Sequence, residues 1–288
     1  VRNGKTFSLF ASSVLSFIGL GIVWCAVSAL HLVDPVILPS PSDVYSAAVY
    51  LLTPKFSTHD SVLSLMCVYV NPDWKPDQAG ELLRDFGSTL LRVSAALGLS
   101  VLFGVPLGLW LGWQRGLYRF IEGPVHALRS VPAAALFPLF LIVIGVGEGS
   151  IIALATYNSV VVVLINTVAG TLLANQRRLQ QARALGVNGW RLITDVLFWE
   201  ALPHILSGTR IATGYSLALI IAVEMFIGVS SLGLGRKIYD YQAAYRIPET
   251  YAAILLTGLL GLGLNGLLSL LERRLLRWLP MTHEDPKT

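Results

Sequence analysis

The sequence predicts an all-α protein that crosses a membrane six times, and three observations predict it. First, 54% of its 288 residues are hydrophobic and 13% are charged, about half the charge of an ordinary soluble domain. So few charges cannot cover a water-facing surface of this size, which excludes the two soluble domains that length alone suggests. Second, the 23 residues from Ser8 to Leu30 contain no Asp, Glu, Lys or Arg. As a helix they extend about 35 Å, enough to cross a hydrocarbon core about 30 Å thick. Third, apolar stretches of similar length recur, separated by segments that carry most of the Lys and Arg.

Taken in order, the spans fall at 8–30, 88–113, 124–146, 150–173, 203–228 and 251–272. The first is too long for a signal-peptide core and no small-residue cleavage site follows it. Val1 in place of Met is read as a processed or trimmed N-terminus. The chain divides into 1–30, a cytoplasmic end with the first span; 31–87, an external loop; 88–279, a core of five spans; and 280–288, a cytoplasmic tail. Within the loop, Leu38-Pro39-Ser40-Pro41-Ser42-Asp43 feeds a short helix capped by Ser42 or Asp43, with Val44, Ala47, Ala48 and Leu51 as its apolar stripe. The stretch 53–78, with Pro54, Pro72 and Pro76, is an irregular loop facing outward. In the spans, Gly98, Gly104, Gly108 and Gly112 form one face for close helix contact. Pro106, Pro132 and Pro138 are expected to bend their helices.

Orientation follows from the basic residues. One side holds twelve: Arg2, Lys5, Arg115, Arg119, Arg177, Arg178, Arg183, Arg191, Arg273, Arg274, Arg277 and Lys287. The other holds six, of which Lys55, Lys75 and Arg84 lie in one long loop where charge matters least. Both termini and the 174–200 segment therefore face the cytoplasm. The net charge of +4 is distributed as topology signals beside spans, which excludes a nucleic-acid stripe. Cys25 and Cys67 show neither metal spacing nor a geometry that suits a bridge. Gly4-Lys5-Thr6 mimics the end of a phosphate loop, but no Gly precedes it at the needed distance and no strand leads in. No catalytic constellation and no metal-ligand cluster appears, so an enzyme is not expected.

The segment 175–200 is the informative one. Leu179, Ala182 and Leu185 recur at helical spacing and Gly186 suits a C-cap. Asn188 is read as the cap of a second helix with Trp190, Ile193, Val196 and Leu197 as its apolar residues, and Arg191 and Asp195 pair at i, i+4. Two short amphipathic helices thus protrude between the fourth and fifth spans. They need a surface to dock on: a partner, their own bundle, or the lipid.

Gln180-Gln181-Ala182-Arg183-Ala184-Leu185-Gly186, with Val196 ten residues beyond the Gly, resembles the cytoplasmic EAA loop of ABC importer permeases. Leu38-Pro39-Ser40-Pro41-Ser42, Gly104-Val105-Pro106-Leu107-Gly108, Arg129-Ser130-Val131-Pro132, Ile144-Gly145-Val146-Gly147-Glu148, Ala201-Leu202-Pro203, Ala222-Val223-Glu224-Met225 and Leu271-Glu272-Arg273-Arg274-Leu275-Leu276-Arg277 are similar to permeases that import nitrate, bicarbonate, taurine and other sulfonates. The resemblance runs from about Leu38 to Leu279. It implies the MetI-like architecture of type I ABC importers, in a bacterial inner membrane. It also implies two permease copies, ATPase subunits that bind ATP and Mg, and an external binding protein that delivers the solute; the chain itself binds no cofactor. It assigns Gln180, Gln181, Ala182, Leu185, Gly186, Trp190 and Ile193 to the ATPase-coupling loop. The family's Glu and first Ala are Gln180 and Gln181 here, and Phe198 and Trp199 replace its Leu-Pro. Gln keeps hydrogen bonding but loses the charge.

Polar residues within spans are the remaining candidates. Glu224 either lines a gate or bonds a neighbouring helix. Arg210 either attracts an anion or snorkels to headgroups. Tyr157, Asn158 and Asn166 either meet a polar solute or bond between helices; Asn158 and Asn166, eight residues apart, share roughly one face. The rival reading is an ion-coupled secondary transporter, which calls for carboxylates near the midplane and related halves.

Overall fold

The computed structural model describes residues 16, 18–30, 32–34, 37–52, 81–226 and 232–277. The first half of the 8–30 span, Gly4-Lys5-Thr6, the 53–78 loop with Cys67, the end of the 203–228 span and the 280–288 tail lie outside the described residues. The helices are α1 (Ile18–Ala29), α2 (Pro41–Leu52), α3 (Glu81–Trp113), α4 (Arg115–Ser130), α5 (Phe137–Ile144), α6 (Glu148–Leu172), α7 (Gln176–Ala184), α8 (Trp190–Glu224), α9 (Leu234–Ala243) and α10 (Ile247–Leu275). Among the described residues, α3, α6, α8 and α10 are long and apolar enough to cross a membrane, and α4 with α5 supplies a fifth candidate if the bent pair is one span.

The chain forms two compact units, Val1–Asp85 with Lys237–Leu256 and Phe86–Arg236 with Thr257–Thr288. In the first unit, α2 begins earlier than expected. Its cap is Ser40, whose hydroxyl accepts from the Asp43 amide at 3.2 Å and donates to the Asp43 carboxylate at 2.7 Å. Pro41 takes the first helical position, where its fixed φ fits and its missing N–H costs nothing. Val44 and Leu51 are buried and Ala47 and Ala48 half-buried, so the expected stripe is the covered face. The Trp24 indole donates to the Pro39 carbonyl at 3.1 Å, and the Tyr251 hydroxyl donates to the Ile37 carbonyl at 3.0 Å. These bonds hold the Pro-rich turn between α1 and α10. Helix α9 has no counterpart in the sequence reading. It ends in a left-handed residue, Tyr245 at φ 56°, with Arg246 N–H on the Tyr241 carbonyl and Tyr245 N–H on that of Gln242, a position where Gly is the usual choice.

In the second unit α3, α6 and α8 pack through small residues. A Cβ at Gly104 would lie 3.0 Å from Val163, and one at Gly108 2.6 Å from Thr167; at Gly112 it would overlap Thr171 outright. The constant offset means that α3 runs parallel to α6 in close contact. Gly170 and Gly208 do the same for α6 and α8, against His204 and Asn166. Gly98 is not part of this face, since a Cβ there meets nothing within 4 Å. Six residues from Gly104 turn it about 120° away.

The third span departs from expectation. The 114–123 stretch, read as a loop, is helical, and the helix breaks near Val131 and Pro132, with α5 continuing at 83° to α4. Pro132 has no N–H to continue α4 and keeps the residue before it extended, as Val131 is at ψ 122°. Pro138 starts α5 rather than bending it. Leu117, Ile121 and Val125, four apart, lay α4 against Leu111, Leu164 and Val168 of α3 and α6.

Gly108→Ala should push α3 off α6 and destabilise the detergent-purified protein by ~1–3 kcal/mol. Gly98→Ala should leave its melting temperature unchanged or raised. Thermal unfolding of the two variants, side by side, checks the register.

Candidate functional site

Two places concentrate the polar chemistry of the second unit, at opposite ends of α8. The first is the segment between α6 and α8. Asn175 caps α7, its side chain accepting from Arg177 N–H at 3.0 Å. The helix closes in a Schellman motif: Gly186, at φ 83°, donates to the Arg183 carbonyl and Val187 to that of Ala182, both at 3.0 Å. The expected Gly186 turn is therefore present. The second short helix is not separate. Trp190 opens α8 itself, with Gly189 rather than Asn188 at the cap position, and the chain runs on through a single π turn at Ile193–Leu197.

That π turn re-registers the apolar face. Leu179, Leu192, Ile193 and Leu197 are buried against Val105, Leu109 and Val163, with Ala182 and Val196 partly covered. Leu185 and Trp190 point away, 84% and 67% exposed. The expected Arg191–Asp195 pair is not seen; Asp195 accepts from the Thr194 hydroxyl at 2.8 Å. Glu200 fastens α7 to α8, one oxygen 2.5 Å from the Arg178 guanidinium and the other accepting from Asn175 N–H at 3.3 Å. Arg183 lies over the Trp113 ring at 5.5 Å, which ties α7 to the end of α3. Gln180 and Gln181 lie on α7 between these anchors, and both are exposed.

The second place is built around Arg92, one turn beyond Thr89 on α3. Its guanidinium takes two carboxylates: Nε and Nη2 reach both oxygens of Glu148, each at 2.5 Å, and Nη1 meets Glu224 at 2.5 Å and the Leu232 carbonyl at 2.9 Å. Glu224 also accepts from the Thr89 hydroxyl at 2.9 Å and from Gly235 N–H at 2.9 Å. Thr89 in turn accepts from Leu234 N–H at 3.0 Å. Three helices and the start of α9 thus meet on one cation. Gly233, at φ 131°, lets the backbone pass where a Cβ would strike Glu224 and Arg92.

The other candidates lie elsewhere. Arg210 donates to Ser269 at 2.9 Å and pairs with Glu272 of α10. It sits fourteen residues from Glu224 on the same helix, about 21 Å along the axis. The Tyr157 hydroxyl donates to the Leu128 carbonyl at 3.2 Å, and Asn166 donates to the Val162 carbonyl at 2.8 Å while flanking Gly208. Asn158 is half-buried on α6. The structure therefore gathers no single cluster from these five residues. Sequence reasoning missed Arg92 as the shared partner of Glu224 and Glu148, and Glu272 as the partner of Arg210. The usable signal was the charge itself: two Arg and three Glu, at 92, 210, 148, 224 and 272, lie within or at the ends of otherwise apolar stretches.

The match to known proteins follows this geometry. The model of the family described as binding-protein-dependent transport system inner membrane component matches residues 104–277. This chain belongs to that family. It is the permease subunit of a binding-protein-dependent ABC importer, a multi-pass membrane component of transport and not an enzyme, and membership implies ATPase and binding-protein partners. A probable ABC transporter permease of Brucella melitensis is 30% identical over 270 residues, covering 92% of this chain and 96% of that protein. The taurine transport system permease TauC of Escherichia coli is 28% identical over 258 residues, covering 89% and 85%. A chain from inward-facing structures of the methionine ABC transporter MetNI superposes with a TM-score of 0.57 at 21% identity, covering 69% of the permease and 96% of that chain. That likeness speaks for the fold.

The two ion-pair sites should respond differently to mutation. Arg92→Met leaves Glu224 buried without its cation and should cost ~3–5 kcal/mol. Arg178→Ala, at an exposed pair, should cost less than ~1 kcal/mol. Melting temperatures of the purified variants in one detergent measure the contrast.

Proposed function

We propose that this permease forms the translocation pathway of an ATP-driven importer for a small oxyanion or sulfonate, of the nitrate, bicarbonate or taurine type, delivered by an external binding protein. The observation that carries the import mechanism is the pair of exposed apolar side chains, Leu185 and Trp190, on either side of the capped turn at Gly186. Two large apolar groups exposed on either side of one turn in a polar segment support a surface that covers them. In this reading the 175–200 segment, with Gln180, Gln181, Ala182 and Ile193 behind that surface, docks on an ATPase subunit. ATP and Mg are bound there, not on this chain.

Two copies of the permease line the pathway, in a bacterial inner membrane with both termini cytoplasmic and six spans per copy. The excess of Lys and Arg on the side of the 175–200 segment supports that orientation. Docking rests on shape and apolar contact, because Gln180 carries no charge. Closure of the ATPases moves α7, and the Glu200 and Arg183 contacts pass that movement to α8 and α3. The solute class rests on the sequence resemblance and on the taurine permease relative.

Leu185→Asp should release the ATPase subunit from the purified complex while the permease keeps its melting temperature. Retention of a stoichiometric ATPase in that variant, measured by mass spectrometry of the gently purified complex, would show that docking lies elsewhere.

A further inference from the structure

The geometry points to the Arg92 guanidinium as a binding site for a small oxyanion, in which the Glu148 carboxylate stands as a tethered occupant that the solute displaces. The inference rests on the importer reading above and goes beyond it by naming the side chain that meets the solute.

The chemistry is that of the fork. Nε and Nη2 of Arg92 grip both oxygens of one carboxylate at 2.5 Å each, the bidentate geometry that a planar guanidinium offers to any group with two suitably spaced oxygens. Carboxylate, nitrate, bicarbonate and sulfonate all present such a pair. The two carboxylates on Arg92 are not equivalent. Glu224 is fully buried and held by Thr89 and Gly235 besides Arg92, whereas the Glu148 side chain is 58% exposed. Glu148 is also the first residue of α6, entered through Gly145 and Gly147 at φ 98° and 143°. Its side chain can swing off the fork without disturbing the interior of a helix.

When it does so, Glu224 and the Leu232 carbonyl still hold Nη1, so Nε and Nη2 stay aimed. Arg92 and Glu224 then form a neutral buried pair, and the anion takes the Nε and Nη2 contacts that Glu148 gave up. With Glu148 in place the cluster carries one positive and two negative charges. That arrangement gives neutral solutes no means of displacing the occupant and makes anions compete with it.

The test uses the complete transporter purified in detergent, with thermal unfolding followed in sodium nitrate, sodium methanesulfonate and sodium chloride at constant ionic strength. In Glu148→Ala, nitrate and methanesulfonate should stabilise with a midpoint at least ~10-fold lower than in the wild type, because the tethered competitor is gone. Chloride, without paired oxygens, should show no such gain. Glu148→Gln, which keeps the shape and loses the charge, should shift the midpoint in the same direction. An anion response of Glu148→Ala identical to that of the wild type would overturn the assignment, as would a low-melting variant that no anion restores. Phosphatidylglycerol added to the micelles is a separate arm; stabilisation of Glu148→Ala by that lipid and by neither small anion would also overturn it. ATP-driven anion uptake into vesicles by the wild type is measured in parallel. Uptake without the Glu148→Ala response rejects the site and keeps the importer reading, whereas the response without uptake rejects that reading instead.

Discussion

A single arginine holds one end of the second unit together. Arg92 is buried at the meeting of α3, α6 and α8, with Glu148 and Glu224 separated from it by 56 and 132 residues. An ion in an apolar bundle is tolerated only when its partners come with it. These three helices therefore cannot part at that end without leaving a charge bare. The apolar packing beside it, Val93 and Ala96 against Ile151, Leu154, Ile220 and Val223, is the same junction seen from the side of dispersion. Small residues farther along, Gly104, Gly108 and Gly112, then let α3 and α6 run in close contact.

Four of the spans, at α3, α6, α8 and α10, were legible because lipid imposes a length and a polarity that composition alone reveals. The α2 stripe and the Gly186 cap were legible for a similar reason, as each depends on neighbours within a turn or two. Where the reading failed, the deciding feature was nonlocal or broke the period. The π turn at Ile193–Leu197 adds a residue to a turn, so a stripe drawn at 3.6 residues set Trp190 among the covered residues and left out Leu192. The bend after Ser130 was expected at Pro132, yet the start of the helix that leads into it, from Arg115, was read as a loop because its charges broke the apolar run. Glu224 was singled out, but its partners were not, because nothing in local spacing links residue 92 to residue 224. Arg210 and Glu272, 62 residues apart, repeat the lesson.

Exposure also means different things along this chain. On α3, α5 and α10 many large apolar side chains are exposed, and lipid covers such surfaces at no cost, so they carry little information. At Leu185 and Trp190 the flanking residues are polar and the same exposure marks a surface that needs covering. For charges the inference reverses. Arg178 in the polar segment is an ordinary solvated pair, whereas Arg92 within a span requires an explanation.

These two places share α8. Glu200 anchors α7 near its start, and Glu224 closes on Arg92 at its end. The 24 residues between them extend about 36 Å in one continuous helix. A displacement imposed on α7 therefore need not travel through a chain of side-chain contacts, because the helix itself carries it to the Arg92 junction. There the response is constrained: the buried Arg92–Glu224 pair resists separation, while the exposed Glu148 arm can yield. Motion arriving along α8 is thus most easily relieved by loosening the Glu148 contacts with Nε and Nη2 of the guanidinium.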